Sequence, residues 1–499
     1  MKAERKVDLI LFSNQLERRG WVPAFQSLLK HKNQFEVYIV GGALRDALLG
    51  VAKIRFDVDL LVDPKEESKT VAHLLAKELD CNFFDLDPER DTYRISREQA
   101  QIDINGIRGN ELIDDLFLRD FSIDALCLPL DNFLNVYSRG ETLMSILDYF
   151  QGVNDLRLRR IRIHNPSSFE DDPLRLLRAY RLAGEISGKI ESYTEEQIAL
   201  HKEKLFSVSG ERIRDEWMKL LAFPNSFDWL TKMDQSGLLS IVFPFLESFR
   251  PMDQKYTKKL QVRHHTLETL QYLEGLFQRV FNGYFPHASA IEEYLKKSFV
   301  PERNFEVLLK LASLLHDIGK PDTLSMESDR LRFFQHEKVG SDKALVYLED
   351  LKLANKEIEW IEELILQHMR PHQLSVADPL TDRAKYRFFA DLGENAVPLL
   401  LLALADAYAT KRVDMGSLTE YEDFVSEMLD YAFKEALEPI SPLLDGNQVM
   451  ALLGIEPSPM VGRILSSLLE AQYLKQIHTI EEAREFVLNW QKTSFDENN

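Results

Sequence analysis

Asp57 and Asp59 stand at alternate positions of the apolar run FDVDLLVD (Phe56–Asp63). Side chains two apart on a strand share a face, so the two carboxylates project together. They repel by roughly 4 kcal/mol at 4 Å and an effective dielectric of 20. A divalent cation removes that repulsion. Oxygen ligands favour Mg²⁺, which keeps waters and phosphate oxygens as its other ligands. Just upstream, the apolar run Val37–Val40 meets Gly41 and Gly42, then a short helix-like piece, Ala43–Leu49, stopped by Gly50. Strand, glycine turn and helix start cradle a phosphate, because backbone N–H groups and the positive helix end point at the anion. The glycines let the backbone come close, and Arg45 follows one helical step later. Each half alone is commonplace. Both at this spacing describe a metal-bound triphosphate site.

Other residues extend this chemistry. Asp103, in the strand-like QIDING (Gln101–Gly106), offers a third carboxylate that would complete a metal site and help activate an attacking hydroxyl. In FEDDPLRLLRAYRLAG (Phe169–Gly184), Asp172 and Pro173 form a helix start, with Asp as N-cap and Pro at N1. Asp172 and Arg175 then lie on one face, whereas Arg178 and Arg181 drift around the helix. A carboxylate only accepts and a guanidinium only donates. Cytosine, and adenine on its pairing edge, present an amino donor beside a ring-nitrogen acceptor, while uracil and guanine present the reverse. An Asp/Arg pair therefore accepts C and A and rejects U and G by factors on the order of 10⁴.

A second constellation follows. His265, His316–Asp317, His336, His368 and Asp406 occur in order in HHTLETL, LLHDIGKPDT, FFQHEKVGSDKA, LILQHMRPH and LLLALADAYA. Imidazoles and carboxylates on helices suit a transition metal: Zn²⁺, Mn²⁺, Co²⁺ or Ni²⁺. A water bridging two such ions is a nucleophile for phosphoester hydrolysis. One histidine on an apolar helix is ordinarily core; six ordered ligands are harder to explain that way.

The elements that must position these groups divide the 499-residue chain. Strand-like runs YIV, DLLV, NFFDL, QIDING, DALCLPL and FLNVY alternate with helical pieces such as KTVAHLLAKEL, which indicates an α/β or α+β region. Residues 1–33 read as a helical leader. From Glu141 strand signals fade and helical periodicity runs to the end, with a polar tail after Trp490 expected to fray. The expected divisions are 1–33, 34–140, 141–235, 236–420 and 421–499.

Composition is ordinary for a globular protein, with 45% apolar and 28% charged residues. No apolar run reaches the ~20 residues that cross a bilayer, and VDLILF is too short for a secretory signal. Cys81 and Cys127 are the only cysteines, which excludes a disulfide framework. These features indicate a cytoplasmic protein with no membrane partner. The net charge of −20 argues against nucleic-acid binding as a whole-protein property. RNA must be met by a local basic surface, for which RLRRIRIH (Arg157–His164), continued by Arg175, Arg178 and Arg181, is the candidate.

Phe35–Asp63 resembles the first motif of the class II tRNA nucleotidyltransferase and bacterial poly(A) polymerase family. There a GG–RD segment holds the triphosphate and a D-x-D pair holds two metal ions. LIDDLFLRDFSIDAL (Leu112–Leu126) resembles the second motif, DL-x-RRDF-T-I-N-A, through Arg119, Asp120 and Phe121. The resemblance implies contacts to ribose and phosphates, with Leu118 and Asp124 as departures from the pattern. LDYFQGVNDLRLRRIRI (Leu147–Ile163) resembles the third, a flexible joint marked by Asp148, Gly152 and Asp155. Asp172 and Arg175 match the fourth, E-D-x-x-R, in which the protein serves as template; Asp171 replaces its Glu, and Arg178 and Arg181 would contact the nucleotide. Pro442–Val487 is similar to the family's C-terminal helical segment. With the basic stretch it would flank the tRNA acceptor arm and elbow, by shape rather than by sequence. The histidine set resembles the HD phosphohydrolase domain, including the two extra histidines of its dinuclear forms. In some bacterial members this domain hydrolyses 2′,3′-cyclic phosphates and 2′-phosphates; in others it is inactive.

The resemblance implies a multidomain α+β enzyme. A polymerase-β-like head of mixed sheet and helices would precede an all-α neck, an HD body and a tail. It would add C and/or A to a tRNA 3′ end from CTP and ATP, with Mg²⁺ held by Asp57 and Asp59 and with Gly42, Arg45 and Arg119 on phosphates and sugar. Poly(A) polymerase is a close alternative, against which the extensive HD region argues. A metal-dependent phosphohydrolase with a merely RNA-binding head is another. In full CCA-adding relatives a long flexible loop after the third carboxylate helps switch from C to A. The short Ile104–Leu118 stretch here favours CC addition. The oligomeric state is not encoded in any feature of the sequence.

Overall fold

The computed structural model describes residues 4–51, 55–87, 91–97, 100–248, 262–327, 330–377, 379–410, 418–436 and 441–496. The chain forms two compact units, Met1–Leu220 with Trp229–Phe243, and Leu221–Asp228 with Pro244–Asn499.

The first unit is built on a mixed sheet of eight strands: β1 (Glu4–Asp8), β2 (Glu36–Val40), β3 (Phe56–Asp63), β4 (Phe83–Asp87), β5 (Thr92–Arg97), β6 (Ala100–Gly106), β7 (Cys127–Pro129) and β8 (Leu143–Leu147). Their order is β1-β8-β7-β2-β3-β6-β5-β4. β3 and β6 run parallel, whereas β2 lies antiparallel to β3 and to β7. In β3 Phe56, Val58 and Leu60 are buried, while Asp57 is exposed and Asp59 half-buried. This alternation of period 2 turns both carboxylates to the open face.

Three expectations are corrected here. The leader is not wholly helical. It opens with β1, which pairs with β8, and its helices Ile10–Arg18 and Trp21–Leu28 bury Phe12, Trp21 and Phe25 in the same core as Phe56. FLNVY is helical, within Leu130–Tyr137. Leu130, Phe133 and Leu134 are its buried residues, and their i, i+3, i+4 spacing is that of a helix face. Strands also continue past Glu141. β8 completes the sheet, and short strand pairs join Arg160–Ile161 to Lys189–Ile190, Ser298–Val300 to Arg303–Asn304, and Leu324–Glu327 to Arg330–Phe333. Each is too short to carry a periodic signal.

The second unit is mainly helical. Helix Val262–Phe281 packs on Ala396–Thr410, which is apolar on all sides and buried along nearly its whole length, as a central core helix must be. The stretch Asp382–Thr410 is long and apolar enough to cross a membrane by length and composition, but 72% of its most apolar window is buried inside this unit. Near the C-terminus, Gly446–Leu453, Pro459–Tyr473 and Ile480–Asp496 enclose a small core of Val449, Ile464, Leu468, Ala483 and Val487. Asp445 and Gln448 form a capping box at its entrance. The last helix runs past Trp490 to Asp496, where fraying was expected.

Candidate active sites

In the first unit, β2 ends at Gly41, whose φ of 76° lies where a side chain is strained. A Cβ there would stand 2.8 Å from Asp59 Oδ2 and 3.2 Å from Arg119 Nη1. The glycine is thus required by the carboxylate and guanidinium beside it. The helix that follows, Gly42–Leu48, is short. Asp59 is in register with Asp103 across the parallel β3–β6 pair, and Asp57 lies two residues earlier on β3. The carboxyl of Asp59 is pushed up to about 6, first by burial and then by Asp103, Asp57 and Asp124, against the pull of Arg119. That surplus of negative charge is what a divalent cation relieves, so Asp57 and Asp59 fit a metal. Asp103 has a partner of its own: Arg94, opposite it on β5, donates from Nε and Nη2 to its two oxygens at 2.7 Å each.

A cleft of about 450 Å³ opens beside Asp59, lined by Gly41, Gly42, Arg45, Arg119, Asp120, Arg175, Arg178 and Arg181 among others. Its guanidiniums are held by carboxylates. Arg45 is buried and reaches Asp124 at 2.7 Å, Asp46 at 2.9 Å and Glu185 at 3.6 Å, in a buried ion cluster at the cleft wall. Arg119 leans on Asp115, four residues earlier, at 3.4 Å. Asp120 bridges Arg175 at 2.6 Å and Arg178 at 2.8 Å. Arg181 pairs with Glu185 and Glu216.

Asp172 and Arg175, expected on one face toward the base, take separate partners. Asp172 Oδ1 accepts the Leu174 N–H at 3.2 Å, as a cap does, and Oδ2 accepts from Arg212 at 2.9 Å. Arg175 donates to the carbonyls of Leu118 at 2.7 Å and Ser168 at 3.1 Å. Helical spacing gave the shared face, but these tertiary acceptors turn the guanidinium inward. The basic run is corrected in the same way. Arg160 and Arg162 both pair with buried Asp155, Arg159 donates to Ile186 O, and only Arg157 stays exposed and unpaired among the described residues of the run. The residues of the third motif are tied down. Asp148 accepts the N–H groups of Gly152 and Val153 at 2.6 and 3.2 Å, and a Cβ on Gly152 would lie 2.2 Å from Ser122 O. Sequence reading missed Arg94, Arg108, Asp115 and the buried Asp124–Arg45 pair. The only advance signal was the i, i+4 spacing of Asp115 and Arg119.

The second unit brings its six expected ligands together. His265 Nε2 lies 3.2 Å from Asp317 Oδ2 and 3.0 Å from Asp406 Oδ1. His316 Nε2 lies 3.3 Å from Asp317. His336 and His368 bring Nε2 atoms within 3.1 Å of one another and within 3.5 and 3.7 Å of Asp317 Oδ1. The ligands thus form two groups, His265–His316–Asp317 and Asp317–His336–His368, sharing Asp317. Each of His316, His336 and His368 turns Nδ1 to a backbone carbonyl, of Ser313, Phe333 and Ile365 at 2.7, 2.8 and 2.6 Å. Those bonds aim Nε2 inward, as metal-binding imidazoles are aimed. Buried His316 Nε2 and Asp317 Oδ1 make no hydrogen bond, a costly state for polar atoms that a divalent ion removes. The residues fit one.

A mixed sheet carrying paired carboxylates beside a glycine turn, with a separate His/Asp cluster on helices, is the arrangement of a nucleotidyltransferase head joined to an HD domain. Residues 37–162 match the Poly A polymerase head domain, 189–250 the probable RNA and SrmB-binding site of polymerase A, and 262–411 the HD domain. The A-adding tRNA nucleotidyltransferase of Deinococcus radiodurans is 32% identical, over 91% of this chain and 95% of that protein. The CC-adding tRNA nucleotidyltransferase of Thermus thermophilus is 30% identical, over 91% and 94%. The chain belongs to the tRNA nucleotidyltransferase family, with a poly(A) polymerase head and an HD domain. Its fold is shared by a CCA-adding enzyme complexed with CTP, at 20% identity and a TM-score of 0.65 over 98% of this chain and 100% of that one. It is also shared by the Thermotoga maritima CCA-adding enzyme complexed with tRNA, at 20% identity and 0.64 over 98% and 100%.

Proposed function

We propose that this enzyme extends tRNA 3′ ends without a nucleic-acid template, joining C and/or A from CTP and ATP. The observation that carries this reading is Asp57 and Asp59 on β3, with Asp59 against Gly41 and Arg119 at the mouth of the cleft. The RNA 3′-hydroxyl attacks the α-phosphate in line and pyrophosphate leaves. Asp57 and Asp59 would hold Mg²⁺, which when bound neutralises charge developing on the phosphoryl group. Asp103, paired with Arg94, stands beside Asp59 as a further carboxylate of the site. Arg119 lies where it would meet phosphate or sugar, and Asp120 keeps Arg175 and Arg178 on the cleft wall. Reading of the base by Asp172 and Arg175 requires both to exchange their present partners for the nucleotide.

The choice between C and A is open to direct test. One relative is named A-adding and another CC-adding at nearly equal identity, so overall similarity does not decide. Purified enzyme is given tRNA ending before CCA and tRNA ending in CC, with CTP and ATP separately and together. Extension limited to one to three residues of C or A supports the reading. Long A tracts would reassign the enzyme as a poly(A) polymerase, and no incorporation would overturn the head assignment. We place the activity in the cytoplasm, where the relatives' substrate class is processed.

A second activity at the HD centre is favoured by its buried, inward-aimed ligand atoms. With a transition metal bound, the centre would hydrolyse 2′,3′-cyclic phosphates or 2′-phosphates at RNA ends. His316→Ala should abolish cyclic-phosphate hydrolysis and spare CTP incorporation; Asp59→Ala should do the opposite.

A further inference from the structure

The HD centre contains a seventh titratable group that the ligand pattern does not use. His372 follows His368 by four residues in HMRPH and is buried. Its Nε2 lies 2.7 Å from Asp406 Oδ2, and its Nδ1 lies 2.8 Å from the hydroxyl of Tyr421, also buried. The Tyr421 ring stacks on the imidazole, with centroids 5.3 Å apart and planes at 29°. A carboxylate can only accept, so Nε2 carries the proton and donates it to Asp406. In the neutral imidazole Nδ1 then accepts from the Tyr421 O–H. The tautomer is therefore fixed from both ends. The same bond keeps Nε2 away from any metal, although His372 is as buried as His368. It occupies Oδ2 of Asp406, while Oδ1 lies 3.0 Å from His265 Nε2 and 3.9 Å from His316 Nε2.

We propose that His372, oriented by Tyr421, is a positioning residue that clamps one oxygen of Asp406 and presents the other to the metal held with His265 and His316. This rests on the reading of the HD centre as a metal site. Without the clamp the carboxylate loses the partner that fixes its Oδ2. Loss of such a support typically weakens metal binding by about 10–100-fold.

The test titrates Mn²⁺ alone into the full-length, metal-stripped protein and follows bound ion by electron paramagnetic resonance, with thermal unfolding of the metal-free form measured alongside. His372→Leu should weaken Mn²⁺ binding by about 10–100-fold. His372→Gln can place an amide N–H near the position of Nε2 and should restore most of the affinity. Tyr421→Phe keeps the ring stack, removes only the hydroxyl, and should cost several-fold at most. A purely structural role predicts that His372→Gln and His372→Leu bind Mn²⁺ alike, or that affinity follows the metal-free melting temperature; either result overturns the proposal. If the wild-type protein binds no Mn²⁺ while Asp317→Asn is equally silent, the underlying metal reading fails as well.

Discussion

Asp59 and Asp103 stand directly opposite one another on the parallel strands β3 and β6, and only Asp103 has a guanidinium bonded to both oxygens. The two carboxylates therefore divide their labour. Asp103 is held by Arg94, whereas Asp59 faces the cleft with its carboxyl pushed up to about 6. A carboxyl raised above its unfolded value near 3.9 binds more protons in the folded than in the unfolded state between those pH values. Stability in the metal-free protein then falls as pH rises through about 4 to 6, and ionised Asp59 is a net cost at neutral pH. Asp59→Asn should stabilise the metal-free protein at pH 7.5 by on the order of 2 kcal/mol and so raise its thermal midpoint. The gain should vanish below pH 4. Mg²⁺ should stabilise the wild type and not the variant, and CTP incorporation should be lost. Unfolding scans from pH 4 to 8 with and without Mg²⁺ check all of these; an equal midpoint at pH 7.5 would refute the charge argument.

Gly41→Ala places a methyl group 2.8 Å from Asp59 Oδ2 at a backbone angle that suits glycine. The carboxylate must shift, and misplacement of about 1 Å in a reacting site can cost on the order of 10² in rate. CTP incorporation should fall by about that factor at saturating Mg²⁺. Gly50→Ala, at a positive φ but with nothing within 4 Å, serves as the comparison and should retain incorporation. Equal loss in the two variants would show that backbone strain, not the Asp59 contact, is responsible.

What the sequence made legible was local. The period-2 spacing of Asp57 and Asp59, the glycine pair and the order of the HD ligands each reside in a few adjacent residues, and all fall where the spacing directs them. What remained hidden was set by pairing across distance. Arg94 neutralises Asp103 only because β5 lies beside β6, and β5 itself carried no readable run. The ion pair that Arg45 makes with Asp124, far along the chain, had no local signal. Asp172 Oδ1 accepts the Leu174 N–H, but the helix begins only at Arg175 with Leu174 as its cap, and the Arg175 guanidinium is held by the carbonyls of Leu118 and Ser168. In HMRPH two histidines are one helical turn apart, and the direction of Nε2, which no sequence states, decides which faces the other ligands.

The Arg45–Asp124 pair makes a prediction about stability rather than nucleotide affinity. Both side chains are buried, and removing one partner strands the other charge at a cost of about 3–5 kcal/mol. Arg45→Met should therefore lower the melting temperature of the first unit sharply. Arg45→Met with Asp124→Leu, which removes both charges, should recover much of that loss. Calorimetry of the three proteins decides the matter. A single variant that melts like the wild type but binds CTP weakly would return Arg45 to the phosphate role.

At the HD centre, burial draws the His265 pKa down, but hydrogen bonds to Asp317 and Asp406 more than offset this and push it up to about 9. His368, by contrast, is lowered to about 3, first by burial and then by His316, so it is already neutral. Metal ligands bind deprotonated, and His265 must therefore release a proton to any ion it receives. Below pH 9 the affinity for Mn²⁺ should rise by about tenfold per pH unit and level off above it. Titration calorimetry at pH 7.5 in buffers of different ionisation enthalpy should register about one proton released per ion taken up at this histidine. Removing the carboxylate that raises it, as in Asp406→Asn, should flatten the pH dependence as well as weaken binding. An affinity that does not change between pH 6 and 9 in the wild type would mean that His265 takes no part in holding the ion.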